Sequence, residues 1–494
     1  MEDPYVATVV YAESRIRSDR KILKYLAGHT HFTLQDMFTR TLRQFSRRGL
    51  SRWVVPMSGM ALGATLLATN SSPLFSDSRK KKRIVLLDDD DDDEDEEDRK
   101  ERERQEAIAN KPPLSTIYSL TDFESVAKKV LPEGIWGYYS TGSDDEISLR
   151  ENHYAFSRIF FRPQCLIDSS NCSLDTEILG TKLSAPFYIT AFAGSPSAHP
   201  MAERGLRNAA GLENIIHLIP FQLSFPVEEY CAGLKPGQQN FYQLHFYNQK
   251  QFDEAPEFFK KLESMPNIKA VFINVDLNAL GNREKDSKIR ARIDSESTEA
   301  LDVYAHSDVK YFSLTWDHMK QIQQMTKLPI VLKGVLNKND VLKAAEAGLA
   351  GALISNHGGR QLDFAMPPIE ILAESKQLLR EKGLDKNFEL FIDGGIRRGS
   401  DIIKALCLGA SGVGLGRPFL YSLASYGEEG VQKAIQILKT EMIRDMKLLG
   451  VSSISELNED MVDITSLKYK GLQTRDHLYD QNYTPMPDPP FRKE

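Results

Sequence analysis

Between residues 186 and 416 the chain passes eight times through one alternation: a short apolar or β-branched run, then a segment of helical period. Strands are expected at Pro186–Phe192, Asn214–Ile219, Asn240–Phe246, Ala270–Asp276, Pro329–Gly334, Gly351–Asn356, Leu390–Gly395 and Gly412–Gly416. Helices are expected between them, among others at Gln251–Ser264, Lys338–Ala347, Pro368–Lys382 and Gly399–Leu408. Eight β/α units over about 250 residues is the arithmetic of an α/β fold of the TIM (β/α)8 barrel kind. A doubly wound open sheet is the alternative, because alternation alone does not demonstrate closure. The 52 residues between the fourth and fifth strands are too many for a simple connection, so a lid or a partly disordered loop is expected there.

In such a barrel the chemistry sits at the C-terminal strand ends. Asp276 closes the fourth strand, Lys333 the fifth, and His357 and Arg360 follow the sixth. Asp393, Gly395 and Arg397 follow the seventh, and Gly416 and Arg417 the eighth. The last two loops commonly form a phosphate site, where glycines allow close backbone approach and arginines supply charge. A histidine accepts a proton near neutral pH, and a guanidinium grips a carboxylate through two parallel bonds. His357 and Arg360 together suit a small 2-hydroxy acid, Arg360 holding the carboxylate and His357 taking the hydroxyl or alpha proton. Any one of these residues read alone is an ordinary strand terminator or a solvated loop residue. Five strand ends in register favour a site.

Outside the barrel the texture changes. Residues 1–78 read as a mitochondrial targeting and sorting leader. Met37–Ser76 holds no Asp or Glu but has Arg40, Arg43, Arg47, Arg48 and Arg52 with Phe38, Leu42 and Phe45 between them. The uncharged run Trp53–Thr69 that follows is at the short limit for crossing a bilayer, so this leader is expected to contact the mitochondrial inner membrane. A buried helix of a small N-terminal domain is the competing reading. Glu2, Asp3, Glu13 and Asp19 do not suit a presequence, which makes Met37 the expected initiator. Residues 79–112 are expected to be a charged, disordered linker that includes the acidic run Asp88–Asp98, residues 113–470 the barrel and 471–494 a tail. The net charge of −7 comes from that acidic run; the remainder is slightly basic, with no nucleic-acid-binding stripe. Four irregularly spaced cysteines argue against a disulfide framework and against a metal centre.

From about 114 to 470 the chain resembles the FMN-dependent 2-hydroxy acid dehydrogenases and oxidases. Within that family it is most similar to the flavin domain of flavocytochrome-type L-lactate dehydrogenases, with glycolate oxidase more distant. The segments that carry this are Tyr-Tyr-Ser-Thr-Gly-Ser-Asp-Asp-Glu (138–146), Arg-Glu-Asn-His (150–153), Tyr-Gln-Leu (242–244), Val-Asp (275–276) and Leu-Gly-Asn-Arg-Glu-Lys-Asp (280–286). Further on come Leu-Pro-Ile-Val-Leu-Lys-Gly-Val (328–335), Ser-Asn-His-Gly-Gly-Arg-Gln-Leu-Asp-Phe (355–364), Ile-Asp-Gly-Gly-Ile-Arg-Arg-Gly (392–399) and Gly-Val-Gly-Leu-Gly-Arg-Pro (412–418). The resemblance implies FMN as cofactor, with His357 as base, Asp276 pairing it, and Arg360 and Tyr138 on the substrate carboxylate. It places Lys333, Gln243, Asn274, Ala193 and Asp393 around the flavin, and Gly395, Arg397, Gly416 and Arg417 at its phosphate. It places Arg283 and His245 on the substrate side.

The resemblance also implies a homotetramer in the mitochondrial intermembrane space that oxidises an L-2-hydroxy acid, L-lactate first. Neither the His-Pro-Gly-Gly motif of a haem domain nor room for its core lies between leader and barrel. A separate acceptor is therefore expected, with cytochrome c, a quinone-linked protein and oxygen left open. Four positions depart from the family: Phe192 stands for a threonine, Pro220 for a serine, Asn274 for a threonine and His245 for a tyrosine. Two readings follow. One is an active flavoenzyme; the other is a degenerate barrel with weak or no flavin binding that serves as a binding or structural protein.

Overall fold

The structure, a computed structural model, describes residues 96–293, 312–469 and Tyr483. The leader 1–78, the stretch 79–95 and, apart from Tyr483, the tail 471–494 lie outside the described residues.

Eight parallel strands form one sheet: β1 (Phe187–Ile189), β2 (Leu218–Ile219), β3 (Asn240–Leu244), β4 (Ile268–Asn274), β5 (Ile330–Val335), β6 (Gly351–Ile354), β7 (Glu389–Asp393) and β8 (Gly412–Leu415). β1 pairs with β8, the order then runs back in sequence to β2, and a parallel bridge from Ile189 to His217 joins the two ends. The sheet is closed. This settles the choice between barrel and open sheet in favour of the barrel.

Two strands are much shorter than the sequence suggests. β2 begins only at Leu218, with His217 ahead of it making an isolated bridge, and it ends at Ile219 as expected, before Pro220, which has no amide to donate to the ladder. β1 ends at Ile189; Thr190 still donates to the Leu415 carbonyl, and Ala191–Ala193 then line the barrel mouth before the chain turns at Gly194 with φ 85°. The expected helix Gln251–Ser264 is two helices, Gln249–Asp253 and Ala255–Glu263, because Pro256 starts a new helix rather than continuing one.

The barrel interior is aromatic. Tyr188, Phe241, Phe272 and Phe391 are fully buried, with Phe272 and Phe391 rings 5.2 Å apart and Phe241 and Phe272 5.4 Å apart. Glycines on β8 make room for them: a Cβ at Gly414 would lie 2.9 Å from the Tyr188 ring, and one at Gly412 would lie 3.0 Å from Phe391. Truncating Phe272 to Ala empties part of this filled layer and is expected to lower stability by about 3–5 kcal/mol, read as a shift of the urea midpoint at unchanged slope.

The linker expectation needs one correction. Glu96–Ala109 (α1) is helical, although it shows no apolar period. Its Glu, Arg, Gln and Ala residues favour helix, pairs such as Glu101–Arg104 and Arg102–Glu106 support it, and Ile108 near its end packs against the core. It is tied to the barrel by Lys100 to Glu133 and by Arg104 to the Val130 carbonyl.

After it come α2 (Leu120–Val130), α3 (Glu133–Ser140) and α4 (Ile147–Ser157), which lie ahead of the first barrel strand. The long connection after β4 begins with a fixed stem, α5 (Glu284–Ile293); residues 294–311 lie outside the described residues. Beyond them Phe312 packs against Phe252 at 5.4 Å, anchoring the other end of that connection. Among the described residues no helix is long and apolar enough to cross a membrane.

Candidate active site

β6 delivers the chain to the barrel mouth, where the Gly-Gly after His357 permits a tight turn. Gly358 and Gly359 have φ 66° and 75°, and His357 itself has φ 57°, a left-handed conformation that a side chain makes uncommon. The turn is held by the Ser355 hydroxyl, which accepts from the His357 amide, and by the Asn356 side chain, which accepts from Gly359. His357 Nδ1 stands 2.9 Å from Asp276 Oδ2. That bond to a carboxylate places the proton on Nδ1 and leaves Nε2 as the basic nitrogen.

Asp276 reaches His357 because β5 bulges at Gly334, where φ is 99° and a Cβ would sit 2.4 Å from the carboxylate carbon. Burial pushes the His357 pKa below its ordinary value, against the pull of Asp276. Burial works to raise Asp276, but His357 and Lys333 hold it below its usual range. The base is therefore neutral, and its partner charged, at neutral pH. A base acts in its unprotonated form, so kcat/KM is expected to be flat above neutrality. It should fall as pH drops through a free-enzyme pKa below about 6.5, one decade per unit in a pH–rate profile.

Arg360, three residues on, is buried in the same wall. Its Nη1 donates to the carbonyls of Tyr138 (2.7 Å) and Thr141 (2.9 Å), and its guanidinium lies 5.0 Å from the centre of the Tyr138 ring. Burial, then the nearby charges of Arg283 and Arg417, push its pKa down to about 9, so it stays charged at neutral pH. Crowded cations of this kind are stabilised by an anion between them. Arg283 contributes a buried Nε with no partner.

The same cavity is lined by Gln243, Asn274, His245 and Lys333. The Gln243 side-chain oxygen accepts from the Phe221 amide at 2.8 Å, which leaves its NH2 as the donor for a ligand. Asn274 Oδ1 and both ring nitrogens of His245 are buried without a hydrogen-bond partner. Burial pushes His245 down to about 4, so this imidazole is neutral and needs partners that the protein does not supply.

The cavity is further lined by Asp393, Gly394, Gly395, Arg397, Gly416 and Arg417. Gly394 and Gly395 have φ 96° and 83°, and a Cβ at Gly395 would lie 2.0 Å from the Asn152 carbonyl, so only glycine fits there. A helix opens at Arg417 and runs to a break at Tyr426–Gly427, its N-terminus directed at the same cavity. Arg397 pairs with Glu124 at 3.2 Å.

One cavity of about 440 Å³ collects these groups. Tyr138, Ala193, Gln243, His245, Asn274, Arg283, Lys333, His357, Arg360, Asp393, Gly395, Arg397, Gly416 and Arg417 all line it, and Asp276 stands directly behind His357. Among the described residues its wall carries five fixed cations, Arg283, Lys333, Arg360, Arg397 and Arg417, against one carboxylate, Asp393. Such a cavity calls for an anionic ligand with several charged groups.

Comparison with known proteins accounts for that pattern. Residues 127–464 match the model of the FMN-dependent dehydrogenase family. The chain belongs to that family. It is 45% identical over 402 residues to an L-lactate dehydrogenase (cytochrome) of Wickerhamomyces anomalus, covering 80% of this chain and 70% of that one. It is 37% identical over 367 residues to glycolate oxidase 3 of Oryza sativa subsp. indica, covering 71% and 97%. The flavin-binding domain of baker's yeast flavocytochrome b2 superposes with a TM-score of 0.70 at 39% identity, covering 81% of this chain and 99% of that one.

The residues present fit FMN. Arg397, the glycine pair and the helix N-terminus would hold its phosphate, and the unpartnered Asn274 oxygen and the Gln243 donor would suit the polar edge of its ring. Phe192 and Pro220, two of the four departures from the family, also line the cavity.

Some parts of the site had no signal in the sequence. Arg417 does more than offer a backbone amide: its guanidinium donates to the carbonyls of Tyr139, Gly358 and Thr141, bracing the catalytic turn. Asp363, last of the His-Gly-Gly-Arg-Gln-Leu-Asp run, accepts from the Ser148 amide at the start of α4. Gln361 donates to the carbonyls of Asp276 and Ala279. The shared motifs could have flagged Gln361 and Asp363, whereas the Arg417 contacts depend on folded geometry.

Proposed function

We propose that the chain oxidises a small L-2-hydroxy acid, L-lactate first, to the 2-oxo acid and passes the electrons to a separate acceptor, cytochrome c. The observation that carries this reading is the His357–Asp276 couple, set in one cavity with the Arg360 guanidinium and with glycines and arginines suited to a phosphate. Arg360 and Tyr138 bind the substrate carboxylate, with Arg283 adding charge. His245 donates to the substrate from its unpartnered ring. His357 Nε2 accepts the proton, and Asp276 stabilises the imidazolium that results. Lys333 places positive charge against the polar edge of the ring system. Bound FMN supplies the two-electron acceptor, and the residues above bind, orient and exclude water.

The arginine-rich, acid-poor leader supports a mitochondrial location, in the intermembrane space. Exposed Leu362 and Phe364 on the loop after Arg360 support burial against further copies in a homotetramer. The test is steady-state turnover of the purified full chain, with cytochrome c reduction followed by absorbance and the product identified. L-lactate should give pyruvate and D-lactate none. Equal rates with both enantiomers, or no product from any 2-hydroxy acid, would overturn the proposal.

A further inference from the structure

Tyr138 is surrounded by more positive charge than the cavity accounts for. The guanidinium carbons of Arg360, Arg290 and Arg283 lie 5.0, 5.7 and 5.9 Å from the centre of its ring. Arg360 and Arg283 line the cavity; Arg290 does not. It belongs to α5, the stem of the long connection, and its Nε donates to the buried Asp286 at 2.9 Å.

The stem itself is pinned. Lys285 pairs with Glu146 at 3.3 Å in a buried bridge, Glu133 pairs with Arg292, and Ile289 presses so closely on Gly137 that a Cβ there would lie 2.9 Å away. The Tyr138 ring therefore meets a guanidinium delivered from outside the site by a fixed helix.

We propose that Arg290, held by Asp286, is a positioning residue for Tyr138, tying the stem of the long connection to the phenol that receives the substrate carboxylate. This rests on the reading of Tyr138 as a carboxylate ligand. A cation over an aromatic face restrains the ring, and a restrained phenol loses less freedom when its hydroxyl engages an anion. Arg290 touches neither substrate nor cofactor, so its influence passes through the orientation of Tyr138. Substrate binding should feel its loss, and the proton transfer to His357 should not.

The test uses FMN-loaded full-length protein with Arg290→Ala, Arg290→Lys, Tyr138→Phe and the double variant Arg290→Ala/Tyr138→Phe. The readouts are KM and kcat for L-lactate and, independently of turnover, the Kd of pyruvate from the flavin difference spectrum. Arg290→Ala should raise both KM and pyruvate Kd by about three- to tenfold with kcat within about twofold, the size of a partly exposed cation–π contact. Arg290→Lys, which keeps the cation, should recover at least half of the loss. In the Tyr138→Phe background Arg290→Ala should change pyruvate Kd by less than about twofold, because no hydroxyl remains to be aimed.

An equal loss in both backgrounds, or a fall in kcat with KM unchanged, would overturn the proposal. If L-lactate does not reduce the wild-type protein, the substrate reading fails alone and the pyruvate arm decides the role of Arg290. If pyruvate does not bind the wild-type protein, both fail.

Discussion

His357→Gln leaves the protein folded and yellow while lowering kcat with L-lactate by about 10³- to 10⁴-fold. Glutamine is close in size and keeps a polar group near Asp276 Oδ2, so the buried carboxylate is not abandoned outright. What it lacks is a nitrogen that can take a proton and hold it. The loss should appear in kcat and kcat/KM together, because proton acceptance matters in the transition state and much less in the bound ground state. Pyruvate binding should change by less than about tenfold. The acid limb of the pH–rate profile assigned to this imidazole should vanish in the variant. Retention of that limb would assign it to another group, with His245 the nearest candidate by position though not by its pKa of about 4.

Arg360→Lys is the second large effect. It keeps one positive charge but gives up the planar fork, and with it the bonds to the Tyr138 and Thr141 carbonyls that hold α3 over the cavity. Losing one or two charge-assisted bonds in a buried site amounts to about 2–4 kcal/mol, or roughly 30- to 1,000-fold in kcat/KM. Most of that should fall on KM, and pyruvate affinity should weaken in proportion, as measured by flavin perturbation. Sulfite or another ligand that makes no use of a carboxylate should be affected far less. That contrast separates loss of carboxylate recognition from general damage to the cavity.

The strand periodicity and the polar residues at strand ends pointed to a barrel and to its rim, because a closed parallel sheet presents every strand's C-terminal end to one side, whereas Tyr138, Ala193, Gln243, His245, Asn274 and Arg283 were reached only through the family resemblance. Asp276, Lys333, His357, Arg360 and Arg397 fall on that rim from the ends of four different strands. What the sequence concealed were properties of packing. β2 starts four residues later than expected, Pro256 divides a helix, and α1 is held by local ion pairs and by Ile108 near its end.

The bulge at Gly334 was equally hidden. Its reason is the Asp276 carboxylate 58 residues earlier in the chain, and only the fold brings the two together. Where Phe192 stands likewise depends on how the backbone turns after Ile189, which no local pattern records.

The most direct measurement is an anaerobic absorbance titration of the purified full chain with L-lactate. The account predicts a flavin spectrum with one FMN per chain, bleached by stoichiometric L-lactate and left unbleached by D-lactate. A colourless protein that takes up no added FMN, or a bound flavin that stays oxidised beside excess L-lactate and every other small 2-hydroxy acid, would contradict it.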